Sequence, residues 1–292
     1  MKQNLSLFLL FLCSISLLSS VISKSTLKSL FSTYSNLRKS ETNQSNENFN
    51  NPLTLTRLGN LKVLDVGCNC SDCWVCDVEG KVYKQSATAP EMVIADEMKG
   101  KCTSIDVDSN KLPVIVDSNG CVQRLTMITN DSATWQEFCI KDLKIIDVAA
   151  GPNESIYAAV KDSPQLYKLE LGYFAKQDNL DAIEPIARID LGLGHGGDRI
   201  IATTVNKKVV YLTAGARHVP GIVAEDVSID CDNANIVVHN SGIYYQGKCS
   251  QYFVKLNNIL ADRVSASKGN VIIKGKDGYV YNGVLAPFLK DC

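Results

Sequence analysis

The sequence has few of the residues that enzymes and nucleic-acid-binding proteins commonly use. It contains three histidines, His195, His218 and His239, and no GxSxG, HExxH or Walker motif that would join a base to a nucleophile or cradle a phosphate. Its 30 basic and 31 acidic side chains almost balance, so there is no basic excess to hold a nucleic acid backbone. We therefore expect no enzymatic activity, no cofactor, no metal and no nucleic-acid partner.

Long apolar runs are also missing, except at the start. Residues 1–23 carry Lys2, the run LFLLFLCSISLL, and the short residues VIS before Lys24, which is typical of a secretory signal peptide. This run is too short and too rich in serine to cross a bilayer, which takes about 20 apolar residues. The sequence therefore predicts a secreted, extracellular protein without a membrane span.

Residues 24–51 are rich in Ser and Asn and have few apolar side chains. Such a composition buries too little apolar surface to offset the entropy of ordering, so we predict a flexible N-terminal segment. A short amphipathic helix over residues 26–38 is the alternative, because apolar residues recur there at helical spacing. The folded domain is predicted to occupy residues 52–292.

Eleven cysteines are present, and ten remain once Cys13 leaves with the signal peptide. An even number in an oxidising compartment predicts disulfides rather than a metal site. We expect Cys102 to pair with Cys121 and Cys231 with Cys249, since each couple would close a three-stranded meander. Cys139 and Cys292 are left to pair with each other or with the cluster formed by Cys68, Cys70, Cys73 and Cys76.

Four Asn-x-Ser/Thr sequons lie beyond the signal peptide, and each accepts a glycan only where it faces solvent. They begin at Asn43, Asn69, Asn130 and Asn153. The sequence therefore predicts a glycoprotein.

From about residue 53 the chain consists of short apolar runs separated by Gly, Asn and Asp, and it repeats. Asp65, Asp106 and Asp147 follow one another at intervals of 41 residues in similar contexts. Three further units, beginning near Asp198, Glu225 and Asp262, keep a mean period of about 40 residues. The fourth unit is out of step, and we assign residues 172–197 to an insertion before it.

Strand meanders repeated about every forty residues protect their edges best by closing into a ring. We therefore predict an all-β fold, a β-propeller of about six blades with three to four antiparallel strands each. Residues 53–60 or the tail 283–292 would supply the strand that closes the ring. The alternative is a β-sandwich, which does not explain the 41-residue interval.

The third unit resembles the tectonin repeat, which is W, then GxLxxIxVGxxGxVWxV, then IY. The residues that match in order are Trp135, Leu143, Lys144, Ile146, Val148, Gly151, Ile156, Tyr157, Ala158, Val160, Leu166 and Tyr167. The first and sixth units match in part, and the other three are degenerate. This chain departs from the pattern in having Tyr157 in place of Trp and a cysteine cluster in its first unit.

Tectonin-like propellers include secreted lectins, so the resemblance implies a multivalent lectin for glycans or bacterial lipopolysaccharide. Sugar rings would stack on Trp74, Trp135, Tyr157, Tyr245 and Tyr281, although aromatics at strand positions more often pack between blades. The repeated aspartates could bind a cation or sugar hydroxyls, but we favour hydrogen bonds to nearby backbone amides. The alternative function is an extracellular protein-interaction scaffold that binds no sugar, for which the partner would be a protein.

Overall fold

The computed structural model consists of β-strands joined by turns and loops. It describes residues 52–85, 90–92, 98–128, 132–151, 154–178, 182, 184–194, 197–212, 217–247, 250, 252–257, 259–267, 270–286 and 289. These residues form 23 strands and no α-helix. The predicted signal peptide and N-terminal segment lie outside them.

The first three blades are antiparallel meanders of four strands. Blade 1 contains the second half of β1 (Leu53–Cys68), β2 (Cys73–Asp77), β3 (Val82–Gln85) and β4 (Pro90–Met92). Blade 2 contains β5 (Cys102–Val107), β6 (Pro113–Asp117), β7 (Val122–Ile128) and β8 (Ala133–Phe138). Blade 3 contains β9 (Ile145–Ala150), β10 (Ile156–Val160), β11 (Leu166–Glu170) and β12 (Tyr173–Lys176).

The other three blades follow the same plan. Blade 4 contains β13 (Ile186–Gly194), β14 (Gly197–Thr204), β15 (Lys208–Tyr211) and β16 (Arg217–Val223). Blade 5 contains β17 (Asp226–Ile229), β18 (Asn235–His239), β19 (Gly242–Gln246) and β20 (Val254–Asn257). Blade 6 contains β21 (Ala261–Ser267), β22 (Asn270–Gly275), β23 (Tyr279–Leu285) and the first half of β1.

The strand β1 joins the two ends of the ring. Its residues 53–57 pair with β23 as the outer strand of blade 6, and residues 63–68 then pair with β2 as the inner strand of blade 1. Blades 6 and 1 are therefore continuous as one seven-stranded sheet, beside four sheets of four strands. Of the two predicted closing segments, the structure uses residues 53–60.

The innermost strands surround a central channel in the order β1, β5, β9, β13, β17 and β21, and β21 contacts β1 again. This closed order confirms the predicted propeller and its number of blades, and it excludes the β-sandwich. The alignment of the fourth unit was wrong. The predicted insertion contains β13, the inner strand of blade 4, because its glycine-rich run LGLG pairs with β14 instead of forming a loop.

Each blade lies between two others, which explains the composition of the second strands. CWVCD, PVIVD and IYAAV are buried along their whole length, so both faces are apolar and no alternation is visible. The turns after the first two of these strands start with Asp77 and Asp117. Asp117 Oδ1 accepts hydrogen bonds from the backbone amides of Asn119 and Cys121, and Gly120 has a positive φ of 83°.

Four disulfides lie among the described residues, and none is a predicted pair. Cys76 bonds Cys102 between blades 1 and 2, Cys121 bonds Cys139 within blade 2, and Cys68 bonds Cys73 within one loop. The fourth bridge joins Cys70 to Cys231. The predictions of Cys102 with Cys121 and of Cys231 with Cys249 were therefore wrong, because Cys102 meets Cys76 of the adjacent blade and Cys231 meets Cys70 across the channel mouth. Cys249 and Cys292 lie outside the described residues.

Replacing Cys76 and Cys102 with alanine should lower the free energy of unfolding by about 3 kcal/mol, because their bridge closes a loop with a sequence separation of 26. Urea denaturation of the oxidised protein measures the loss. The matched variant Cys121→Ala with Cys139→Ala, which opens a loop of separation 18, should lose slightly less. Peptide mapping that links Cys102 to Cys121 would contradict the assignment.

Candidate functional site in the channel and its mouth

A β-bulge recurs in the inner strands and aims side chains at the channel. In five blades the pairing with the second strand skips one residue, and the residue after the skip is Asp65, Ser104, Asp147, Arg188 or Arg263. With Asp226 of blade 5 they form what we call the first tier. The residues two places further on form the second tier, which is Gly67, Asp106, Ala149, Asp190, Ser228 and Ser265.

The tiers alternate between blades. Blades 1, 3 and 5 place aspartate in the first tier and a small residue in the second. Blades 2 and 4 place their aspartates, Asp106 and Asp190, in the second tier. Their first-tier residues are Ser104 and Arg188. Asp106 is therefore not equivalent to Asp65 and Asp147, although the 41-residue interval aligns all three. The bulge has the same place in blades 1, 2 and 3, and the equivalent residues Asp65, Ser104 and Asp147 are spaced unequally along the chain. The uniform 41-residue interval of aspartate therefore joins two different positions.

Each of these aspartates accepts a hydrogen bond from the inner strand of the next blade. In the first tier Asp65 Oδ2 bonds Ile105 N at 3.2 Å, Asp147 Oδ2 bonds Ile189 N at 2.8 Å, and Asp226 Oδ2 bonds Val264 N at 2.8 Å. In the second tier Asp106 Oδ2 bonds Ala150 N and Asp190 Oδ2 bonds Ile229 N, both at 2.7 Å. The structure thus places the repeated aspartates on backbone amides, as we favoured, but these amides belong to the next blade and not to a nearby turn.

Arg188 occupies the channel at the level of the first tier. Its guanidinium Nη1 lies 2.7 Å from Asp147 Oδ1 and 3.4 Å from Asp65 Oδ2. Its Nε lies 3.8 Å from Asp226 Oδ1, so one cation serves the aspartates of three blades. Burial opposes the charge of Arg188, but these three carboxylates keep its pKa above the ordinary value.

Burial has the opposite effect on the carboxylates. It raises the pKa of Asp226 to about 7, although Arg263 and Arg188 favour its charged form. It raises the pKa of Asp190 to about 6, although hydrogen bonds from Ser228 and from backbone amides favour the charged form. The pKa of Asp106 is also held well above its ordinary value, first by burial and then by the negative charge of Asp190.

A cavity of about 240 Å³ opens at the end of the channel where the first strands end. All six blades contribute to its wall, through Cys68, Val107, Ala150, Leu191, Ile229 and Ala266. Asn69, Ser71, Ser109, Lys111 and Asp230 add polar groups. We call this space the mouth cavity. The sequence analysis missed it, because its lining comes from single residues of six separate units and no local motif marks it.

The bridge between Cys70 and Cys231 lies at this cavity. It connects the loop after β1 in blade 1 with the loop after β17 in blade 5, and both cysteines line the cavity. A bond between such distant units does not disrupt the propeller. Ring closure leaves only blade 6 between blades 1 and 5, so the two loops meet over the mouth.

Three of the five predicted sugar-binding aromatics are buried. Trp74 is 1% exposed and donates its indole Nε1–H to the carbonyl oxygen of Lys111, while Tyr157 and Tyr245 are each 5% exposed. Burial and then Asp198 keep the pKa of Tyr157 above its ordinary value, and burial raises that of Tyr245 to about 12. These three rings pack between blades, so the structure contradicts them as stacking platforms.

The other two aromatics are partly buried and lie in different blades. Trp135 lies in β8 of blade 2, against the core between blades 1 and 2. Tyr281 lies in β23 of blade 6 and donates its hydroxyl to Asp277 Oδ2 at 2.7 Å. Neither residue lines the mouth cavity, so the structure brings none of the five together in one site.

Among the sequons only Asn69 is described. Its side-chain amide donates to the carbonyl oxygen of Asp108 at 2.8 Å, and its Oδ1 accepts the amides of Ser71 and Asp72. Asn69 therefore shapes the loop at the mouth cavity, and its glycosylation stays a prediction. Asn43, Asn130 and Asn153 lie outside the described residues.

Comparison with known proteins shows the fold. No protein-family model matches the chain, and no curated protein matches its sequence significantly. A gluconolactonase from Xanthomonas campestris is similar in structure, with a TM-score of 0.60 and 10% identity over 80% of this chain and 90% of that chain. A streptogramin B lyase gives a TM-score of 0.52 and 14% identity over 80% and 88%. YCF48 bound to D1 peptide gives 0.56 and 11% over 82% and 98%.

At these identities the likeness concerns the fold alone, and it corrects one expectation. We expected no enzyme because the sequence lacks catalytic motifs, and that exclusion was wrong, since a gluconolactonase and a streptogramin B lyase share the fold. A propeller assembles a site from single residues of several blades, so contiguous motifs are a poor guide. The resemblance to tectonin repeats is not tested by these structures and stays a prediction.

One feature agrees with an extracellular location. The described residues carry four disulfides, which persist mainly in oxidising compartments. Within the same residues, no helix has the length and apolar character to cross a membrane.

The raised carboxylate pKa values predict that stability falls as the pH rises from about 5 to 8. An unfolded aspartate titrates near pH 3.9, so between that pH and about 7 the folded state binds more protons than the unfolded state. The stabilisation is complete below the unfolded pKa and is lost as the pH passes 6 and 7. Urea midpoints measured across this range test it.

Asp226→Asn should flatten that pH dependence, because one of the responsible groups no longer titrates. The exposed Asp162→Asn is the matched control and should keep the original slope. A wild-type midpoint that rises between pH 5 and 8 would rule the assignment out.

Arg188→Met should lower the free energy of unfolding by about 3 to 5 kcal/mol, because it leaves buried carboxylates without their cation. Urea denaturation at pH 7 measures the loss, and the exposed Lys161→Met should cost little. Adding Asp147→Asn to Arg188→Met should cost less than the two single losses together, since the pair interacts directly. Strict additivity would show that the ion pair is not the cause.

Proposed function

We propose that this protein is a secreted interaction propeller that binds a peptide segment of a partner protein at the mouth cavity. The observation that carries the proposal is the cavity itself, a concave space built by all six blades at the end of the channel. Concave, mostly apolar spaces with a few polar groups are the usual ligand sites of proteins.

The wall of the cavity fits an apolar side chain. Val107, Leu191 and Ile229 supply branched aliphatic surface, and Ala150 and Ala266 leave room beside them. Ser109 and Lys111 are exposed and offer hydrogen-bonding groups to the backbone of a bound segment. An extended peptide that inserts one aliphatic side chain is the ligand that uses both features.

A glycan would find less to hold it. Among the described residues that line the cavity there is no aromatic ring, and three of the five predicted stacking residues are buried. The lectin function implied by the tectonin resemblance therefore has less support than the protein-interaction alternative. The solved complex of YCF48 with a peptide supports the choice, since it is a propeller of this fold with a peptide bound.

Secretion belongs to the same proposal. Residues 1–23 have the pattern of a signal peptide, and four disulfides suit an oxidising compartment. The partner is then an extracellular or cell-surface protein.

A random-peptide display library can be selected against residues 52–292 with their disulfides intact. The selected peptides should carry an aliphatic anchor residue. Ser109→Trp places a large ring at the rim and should weaken binding at least about tenfold, which corresponds to about 1.4 kcal/mol. Asn119→Trp is the matched control, because it alters an exposed turn at the opposite end of the same blade. Its binding should equal that of the wild type.

A glycan array and immobilised lipopolysaccharide, probed with the same protein, decide between the two functions. No signal on either, together with selected peptides, supports the proposal. Strong glycan binding with no peptide ligand would overturn it in favour of a lectin.

A further inference from the structure

The bridge between Cys70 and Cys231 differs from the other disulfides in what it connects. Its partners lie 161 residues apart, in loops of blades 1 and 5 that line the mouth cavity. Cys68–Cys73 and Cys121–Cys139 each act within one blade, and Cys76–Cys102 joins β2 of blade 1 to β5 of blade 2. Cys70–Cys231 is therefore the bridge whose opening would alter the cavity and leave the blades intact.

Each of the two loops keeps its own fold without the bridge. In the first loop the amide of Asn69 bonds the carbonyl oxygen of Asp72 at 2.9 Å, and Cys68–Cys73 closes its base. In the second, Asp230 Oδ1 accepts the amides of Asp232 and Ala234. Loss of the bridge should thus let the two loops separate and fluctuate more, while these local bonds keep either from unfolding completely.

The bridge is also open to attack from solvent. Cys70 is exposed and Cys231 is partly exposed, whereas Cys68 and Cys73 are each 8% exposed and Cys76 and Cys102 are fully buried. Thiol–disulfide exchange needs a thiolate to reach a sulfur atom, so access decides which bridge reacts first. Cys121–Cys139 is accessible as well, but it lies away from the cavity and supplies a control.

We propose that Cys70–Cys231 is a reducible latch that restricts entry to the mouth cavity. A dithiol reductant attacks one sulfur to form a mixed disulfide and releases the other cysteine as a thiolate. Its second thiol then displaces the bound cysteine, which leaves two cysteine thiols and a cyclic disulfide on the reductant. The loops of blades 1 and 5 then separate, and the mouth widens.

The proposal rests on the proposed peptide-binding function for its consequence, which is faster entry of the ligand. The opening of the latch itself does not depend on that function, since the separation of the two loops is measurable without any ligand. Two readouts therefore keep the two ideas apart.

The first readout is amide hydrogen exchange of Cys70→Ser with Cys231→Ser, and of wild type after mild dithiol treatment. Exchange should rise in residues 69–72 and 230–234 and stay unchanged in β2 and β18. Cys121→Ser with Cys139→Ser should change neither loop. Unchanged exchange in both loops of the opened protein would overturn the latch.

The second readout is the association rate of a peptide obtained from the library. It should be about tenfold faster for the variant without the Cys70–Cys231 bridge than for oxidised wild type or the control variant. An equal rate would overturn the latch even if the peptide binds. If no peptide binds either form while loop exchange rises, the latch stands and the proposed function fails.

Discussion

The ring of blades depends on carboxylates that accept backbone hydrogen bonds across each blade boundary. Four buried aspartates and the partly buried Asp190 reach from one inner strand to an amide of the next, over sequence separations of 38 to 44 residues. In a sixth bond of this kind the hydroxyl oxygen of Ser228 accepts the backbone amide of Ala266. These bonds satisfy amides that face the channel, where no further strand can pair with them.

These bonds bring five carboxylates into a narrow channel, where their negative charges repel one another. Other features of the channel reduce this repulsion. Arg188 and Arg263 neutralise the first tier, while Asp106 and Asp190 in the second tier have raised pKa values. The alternation of aspartate between adjacent blades separates the charges along the channel axis. A channel filled in this way leaves the mouth, rather than the bore, as the place for a ligand.

The mouth cavity follows from the same geometry. The inner strands converge around the channel, and each of them ends in small or aliphatic residues. The loops that follow surround a space that no blade fills alone. Its glycines serve close packing, since a Cβ on Gly192 would lie 2.5 Å from Ile229 Cγ2. The disulfide between blades 1 and 5 then fixes two of the loops, so the proposed site and its latch share one set of residues.

The period of the apolar runs was enough to predict a propeller of about six blades, and it left two candidate segments for the strand that closes the ring. Each prediction depends on local patterns, because a strand, a turn with Asp and Gly, and a repeat length are written in neighbouring residues. The function of the repeated aspartates as backbone acceptors also followed from the ordinary chemistry of that side chain.

The tertiary structure alone decided what depends on residues far apart in the chain. Strand pairing showed that Ser104, and not Asp106, is equivalent to Asp65 and Asp147, and β13 replaced a predicted insertion. Two of the four described disulfides join different blades, namely Cys76–Cys102 and Cys70–Cys231. Disulfide pairing and the formation of the cavity depend on which residues lie close together in space. The sequence specifies that proximity only through the closure of the whole ring.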